Sequence, residues 1–184
     1  MRLGVFVGSF DPVHIGHIRV MDYLIDNGYL DKIIVMPTLD YWKKKIVANI
    51  EDRYKMLKLI KRDYLIVDNT NNKYKYTHEI LDKLKEIYID DELYLIISAD
   101  NIISFDKWKN VDEILNNYKV IVLNRNNIDI KKYVDNFSQK DRFIIVQDYP
   151  FVNISSTVLR NKINKDFLDP MVYNYIIDNH LYNK

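Results

Sequence analysis

Short apolar runs alternate with amphipathic stretches along the whole chain, and this alternation restricts the fold more than any other feature. The runs are Leu3–Val7, Lys32–Met36, Leu65–Val67, Leu93–Ser98, Lys119–Leu123 and Phe143–Val146. Most are continuously apolar, the mark of strands covered on both faces. Between them the spacing turns helical. Ile15, Ile18, Met21, Leu24 and Ile25 share one side of a helix that runs to about Asn27, where Gly28 supplies the C-terminal stop. Met56, Leu57, Leu59 and Ile60 do the same within Ile50–Arg62. Thr77 is placed to cap a helix over His78–Tyr88, with Ile80, Leu81 and Leu84 inward. Shorter helices are predicted over Ile102–Phe105, Val111–Asn117 and Ile128–Asn136, and two closing helices over Ser155–Ile163 and Pro170–Asn179. Strands alternating with helices predict an α/β fold with a doubly wound parallel sheet, helices on both faces and right-handed crossovers. The 184 residues suit one domain, 1–184, with closing helices at about 155–180.

Composition removes several functional classes. The chain has no cysteine, so it has neither a thiolate nucleophile nor a disulfide framework. Its 27 basic and 26 acidic residues nearly cancel, which is not the footprint of a dedicated nucleic-acid binder. No apolar run approaches the roughly 20 residues of a membrane span, and Met1–Val5 lacks a signal peptide's long apolar stretch. A cytoplasmic location is expected. Only four glycines occur, all within the first 28 residues.

Two of those glycines frame the loop after the first strand, Gly8-Ser9-Phe10-Asp11-Pro12-Val13-His14-Ile15-Gly16-His17. A strand, a glycine and then a helix start form a phosphate-site context, because a helix N-terminus presents free N–H groups and the positive end of its dipole. The G-x-G-x-x-G and G-x-x-x-x-G-K-[ST] fingerprints are both absent here. Instead, His14 and His17 stand three apart and so share a helix face. Two imidazoles there can donate hydrogen bonds to phosphate oxygens, more strongly when protonated. Metal binding would require further ligands, and only Asp11 is near in sequence, so no metal site is expected.

His14-Ile15-Gly16-His17 resembles the (H/T)-x-G-H signature of the nucleotidylyltransferase superfamily. Ile154-Ser155-Ser156-Thr157-Val158-Leu159-Arg160 is similar to its second signature, I-S-S-T-x-x-R. Further segments resemble the bacterial nicotinate-nucleotide adenylyltransferases. They are Ser98-Ala99-Asp100-Asn101 with Phe105–Trp108, Arg53–Leu57, Tyr76-Thr77, and Asn179-His180-Leu181-Tyr182, in the family's order. Two segments depart from that family: Asp40–Lys45 replaces a double-proline stretch, and Ser98 stands where the family has glycine.

The resemblance implies a Rossmann-like fold and transfer of the adenylyl group of ATP to nicotinate mononucleotide, giving deamido-NAD and pyrophosphate. It implies catalytic roles for His14, His17 and Arg160. ATP would meet Gly8, Ser9, Phe10, Gly16, Lys44, Asp100, Ser156 and Thr157, and the mononucleotide Thr77 and Trp108. Mg²⁺ would arrive with ATP, held mostly by phosphates and water. By themselves Asp100 and Thr77 read equally as helix N-caps, Trp108 as a packing aromatic, and Lys44 as part of a solvated run. The alternatives are an adenylyltransferase acting on nicotinamide mononucleotide or phosphopantetheine, and a nucleotide-binding module without catalysis. Oligomeric state is not readable.

Overall fold

A computed structural model describes residues 1–39, 46–70, 72–125 and 128–182. Six strands, all parallel, form one sheet: β1 (Arg2–Gly8), β2 (Lys32–Pro37), β3 (Leu65–Val67), β4 (Glu92–Ser98), β5 (Lys119–Leu123) and β6 (Phe143–Val146). Their order is β3-β2-β1-β4-β5-β6. β1 therefore lies inside the sheet, with Leu3 opposite Lys32 on β2 and Leu93 on β4. The chain direction of sheet growth reverses between β1 and β4, and ligands in such folds bind beyond the strand C-termini at that point.

The continuous apolar strands feed two cores. Leu3, Val5, Ile34, Met36, Leu95, Ile97, Val120 and Val122 face α3 (Thr77–Ile87), α4 (Ala99–Ile102), α5 (Val111–Asn117) and α6 (Ile130–Val134). Ile33, Val35, Ile96, Ile121 and Leu123 face α1 (Ile15–Asp26), α2 (Ile50–Leu59), α7 (Ser156–Asn161) and α8 (Pro170–Asp178). The period-2 alternation of strand side chains produces this split. Gly4 is a packing requirement: a Cβ there would stand 2.5 Å from Leu30 Cδ1 and 2.7 Å from Ile96 Cδ1. Gly28 ends α1 as expected, with φ +69°. Its N–H donates to Ile25 O, and Tyr29 N–H donates to Leu24 O, the paired bonds of a Schellman cap.

Several helix boundaries differ from the sequence expectation. α2 stops at Leu59 rather than Arg62, because Arg62 turns its side chain to Asp22 (Nε–Oδ1 2.9 Å) and its carbonyl to Leu65 N–H. Thr77 is not the cap of α3 but its first residue; Tyr76 is the N-cap, with its N–H donating to Glu79 Oε2 at 3.0 Å. Asp100 is likewise no cap: Ser98 takes that place, and α4 starts at Ala99, earlier than expected. A 3-10 turn follows at Phe105–Lys107. No helix among the described residues is long and apolar enough to cross a membrane.

Candidate active site

The loop from Gly8 to His14 leaves the C-terminal end of β1 and enters α1. Phe10 takes φ +46°, a conformation that is rare for a bulky residue and costs on the order of 1–2 kcal/mol. Burial holds it there: its ring is 2% exposed, edge-on to Phe6 at 5.4 Å and to His17 at 5.0 Å. Phe10 was expected among the ATP-binding residues. Its side chain instead packs behind His17, leaving only its backbone for a ligand.

His14 is the N-cap of α1, an unusual residue for that place. Its Nδ1 accepts from Gly16 N–H at 3.1 Å, while His17 Nδ1 accepts from His14 N–H at 3.2 Å. The pair makes a reciprocal capping box, with imidazole nitrogens where carboxamide or hydroxyl oxygens usually serve. One consequence is chemical. A neutral imidazole carries one proton, and an accepting Nδ1 puts it on Nε2. Backbone geometry therefore makes both rings Nε2–H donors. The ring centroids are only 3.8 Å apart. Gly16 permits this arrangement, since a Cβ would stand 2.9 Å from His14 Cε1 and 3.2 Å from Ile154 Cγ2.

Both histidines are held neutral. His14 is 5% exposed, and burial, reinforced by the positive charge of Arg125, lowers its pKa from 6.5 to about 4. Burial pushes His17 well below its ordinary value, with His14 and Arg125 adding to the effect. Donation to a ligand thus requires no prior protonation. Arg125 was missed by sequence reasoning. It follows β5, with Nε 3.0 Å from Asp100 Oδ2 and its guanidinium 5.2 Å from the Phe151 ring centre. The Nε–H is not directed at an acceptor, so the contact with Asp100 is ionic. Its position just past a strand C-terminus, at the same sheet edge as the histidines, was the available signal.

α7 closes the other side. Ser155 caps it, accepting from Val158 N–H at 3.3 Å. Ser156 Oγ donates to Pro12 O at 2.9 Å. Arg160 Nη1 donates to Asp11 O at 2.8 Å, and Nη2 to Thr157 Oγ1 at 2.9 Å. At six residues α7 brings little dipole; what it contributes is side chains.

Behind these groups stand two buried charges. Asp11, fully buried, accepts from Val47 N–H (2.8 Å), Ala48 N–H (3.0 Å) and Tyr182 OH (2.8 Å), with Arg160 Nη1 3.7 Å away. Arg53, 2% exposed, donates to the carbonyls of Ser9 (2.7 Å), Thr38 (2.8 Å) and Ala48 (3.2 Å). Neither partner set is local in sequence, which is why spacing alone did not reveal it.

The structure thus brings Gly8, Ser9, His14, Gly16, His17, Ser156, Thr157 and Arg160 around one end of the sheet, joined by Asp100 through Arg125. Thr77 and Trp108 come from elements on the other face; Trp108 is half-buried, edge-on to Phe105 at 5.0 Å. Lys44 and the rest of Asp40–Lys45 lie outside the described residues. Among the described residues no group of three or more His, Asp or Glu side chains is arranged to hold a metal ion.

A parallel sheet with a backbone-locked histidine pair at its switch point defines a nucleotidyltransferase of the cytidylyltransferase-like family, whose profile matches residues 5–162. The chain is similar to a probable nicotinate-nucleotide adenylyltransferase of Endomicrobium trichonymphae, 33% identical with 98% of each chain covered. Another from Fusobacterium nucleatum is 34% identical, covering 94% of this chain and 93% of the relative. The chain belongs to the nicotinate-nucleotide adenylyltransferase family. In fold it matches Plasmodium falciparum nicotinic acid mononucleotide adenylyltransferase complexed with NaAD, at TM-score 0.81 and 20% identity over 98% of this chain and 97% of that one. A Vibrio parahaemolyticus structure described as a putative nicotinate-nucleotide adenylyltransferase matches at TM-score 0.71 and 19% identity, covering 98% and 94%.

Proposed function

We propose that this chain transfers the adenylyl group of ATP to nicotinate mononucleotide, releasing deamido-NAD and pyrophosphate. The observation that carries the reading is the pair of Nε2–H donors fixed by backbone at the end of β1. A phosphate oxygen of the mononucleotide attacks the α-phosphorus of ATP, and the bond from that phosphorus to the bridging oxygen breaks. The attacking oxygen is already ionised near neutral pH, so no general base is needed. Catalysis rests on placing the two substrates and stabilising charge on the α-phosphate and the leaving pyrophosphate.

His14 and His17 donate through Nε2–H to the phosphates where charge grows. Their neutrality before binding limits the attraction of stray anions, and the fixed tautomer removes a reorganisation cost. Arg160 supplies positive charge from α7, with Ser156 and Thr157 beside it as hydroxyl donors to the β- and γ-phosphates. Arg125 adds a second cation near the histidines, and Asp100 accepts from nucleotide hydroxyls. Gly16 keeps the helix N-terminus open to close approach. Lys44 neutralises the triphosphate, and Thr77 and Trp108 receive the mononucleotide, Trp108 by stacking on the pyridine ring. Asp11 is saturated with donors and Asp100 is paired with Arg125, so the donor set suits a Mg²⁺ that enters on ATP and keeps water and phosphate ligands. That ion supplies charge neutralisation of the phosphates. The reaction belongs in the cytoplasm, where ATP is at hand.

A pyrophosphate-release assay with ATP, Mg²⁺ and, in turn, nicotinate mononucleotide, nicotinamide mononucleotide and phosphopantetheine tests this. Turnover is expected with the first. Preference for another acceptor overturns the substrate, and no turnover with any overturns the reaction. His17→Ala should lower kcat by about a hundredfold, the scale for a lost oxyanion donor, while ATP binding weakens far less.

A further inference from the structure

The carboxylate of Asp11 stands at the junction of four segments. It belongs to the histidine loop, receives the N–H groups of Val47 and Ala48 from the segment leading into α2, and lies 3.7 Å from Arg160 on α7. Its remaining partner comes from the turn after α8: Tyr182 OH donates to Oδ1 at 2.8 Å. Tyr182 is 9% exposed and has φ +64°, while His180 in the same turn has φ +53°. Two non-glycine residues in the left-handed region each cost about 1 kcal/mol or more, and they persist only where the surroundings dictate them. The turn directs Leu181 N–H to Ile176 O and the Tyr182 side chain back into the protein.

We infer that Tyr182 is a positioning residue for Arg160, acting through Asp11. Three neutral donors satisfy the Asp11 carboxylate. Arg160 consequently keeps only a long ion pair with Asp11 Oδ2, at 3.7 Å, and places its hydrogen bonds on the Asp11 carbonyl and Thr157 Oγ1. From there its guanidinium is free to exchange neutral partners for phosphate. Loss of the Tyr182 hydroxyl leaves Oδ1 with the Ala48 N–H alone, and the under-satisfied buried carboxylate pulls harder on the cation beside its other oxygen. Arg160 is that cation. Tightening this 3.7 Å ion pair draws a nucleotide-binding group inward, away from phosphate. Burial and the charge of Asp11 raise the phenol's pKa, so Tyr182 remains a donor throughout the working range.

The inference rests on the proposed role of Arg160 toward ATP, and its test separates the two. ATP binding is measured by calorimetry, with the melting temperature of each protein, for the wild type, Tyr182→Phe, Arg160→Ala and the double variant. Tyr182→Phe should weaken ATP binding about tenfold. In the Arg160→Ala background the same change should do nothing further, within a factor of two. Equal weakening in both backgrounds means that Tyr182 is only structural and overturns the inference, as does no effect in the wild type. Arg160→Ala with unchanged ATP affinity overturns the functional role of Arg160 itself. Asp11→Asn, which removes the competing charge but keeps the shape, gives a second reading. Adding Tyr182→Phe to it should cost ATP binding less than twofold, and a tenfold cost there also refutes the coupling.

Discussion

Acid should unfold this protein partly through His14. In the folded chain His14 takes a proton only as the pH falls to about 4, whereas in the unfolded chain it does so at 6.5. Between these values the unfolded state binds more protons, so stability rises with pH and is lost as pH falls from 6.5 toward 4. At pH 5 the unfolded imidazole is almost fully charged and the folded one almost fully neutral. The difference costs about 2 kcal/mol, growing to about 3 kcal/mol below pH 4, at roughly 1.4 kcal/mol per pKa unit. The comparison protein is His14→Asn, since asparagine is a strong N-cap and can still accept from the Gly16 N–H. Urea unfolding followed by tryptophan fluorescence at pH 7 and pH 5 gives two stability losses, one for each protein. The carboxylates contribute similarly to both, and removing His14 also relieves part of the downward push on His17, so the wild type should lose at least about 2 kcal/mol more. Equal losses would refute the burial argument and, with it, the neutral Nε2–H tautomers in the mechanism.

Two further outcomes follow from the backbone. Gly16→Ala places a Cβ 2.9 Å from His14 Cε1 and should rotate that ring off the Gly16 N–H, lowering kcat/KM for ATP at least tenfold with less than about 2 kcal/mol of stability lost; unaltered kinetics would show that the pair tolerates realignment. His180→Gly should stabilise the chain by about 1 kcal/mol in the same urea assay, because His180 sits at the C′ position of the α8 cap with φ +53°. A loss of stability would mean that the His180 side chain contributes more than its strained backbone costs.

The sheet was legible from the sequence because its strands are apolar on both faces. β3, β5, β6 and α5 have the expected bounds, each closed by a polar residue or a proper turn. Local chemistry was legible for the same reason: Gly28, Ser155 and the His14–His17 spacing act on neighbours within a few residues. Thr77 and Asp100 show where such reading stops. Each is a good N-cap by type, yet Tyr76 and Ser98 take those places, because the exits of the preceding segments set where helical geometry begins. Arg125, Arg53 and the partners of Asp11 were out of reach altogether. Tyr182 meets Asp11 across 171 residues, and no periodicity records that contact. Nothing in the sequence marked the inward turn of the Phe10 ring, which its φ of +46° produces.

The strand order also describes how the protein can be taken apart. β1, β2 and β3 come from the first 67 residues and β4, β5 and β6 from 92 onward, so the sheet has one seam, between β1 and β4. The histidines lie on one side of it, and Arg125, Ser156, Thr157 and Arg160 on the other. A chain divided between β3 and β4 would yield two half-sheets, each with an unpaired inner edge that favours re-pairing. Tyr175 of α8, bonded to Asp52 of α2 at 2.7 Å, adds a clasp across the break. Neither fragment holds both sets of phosphate-facing groups, so adenylyl transfer from the pair would report that two molecules fused to them had met.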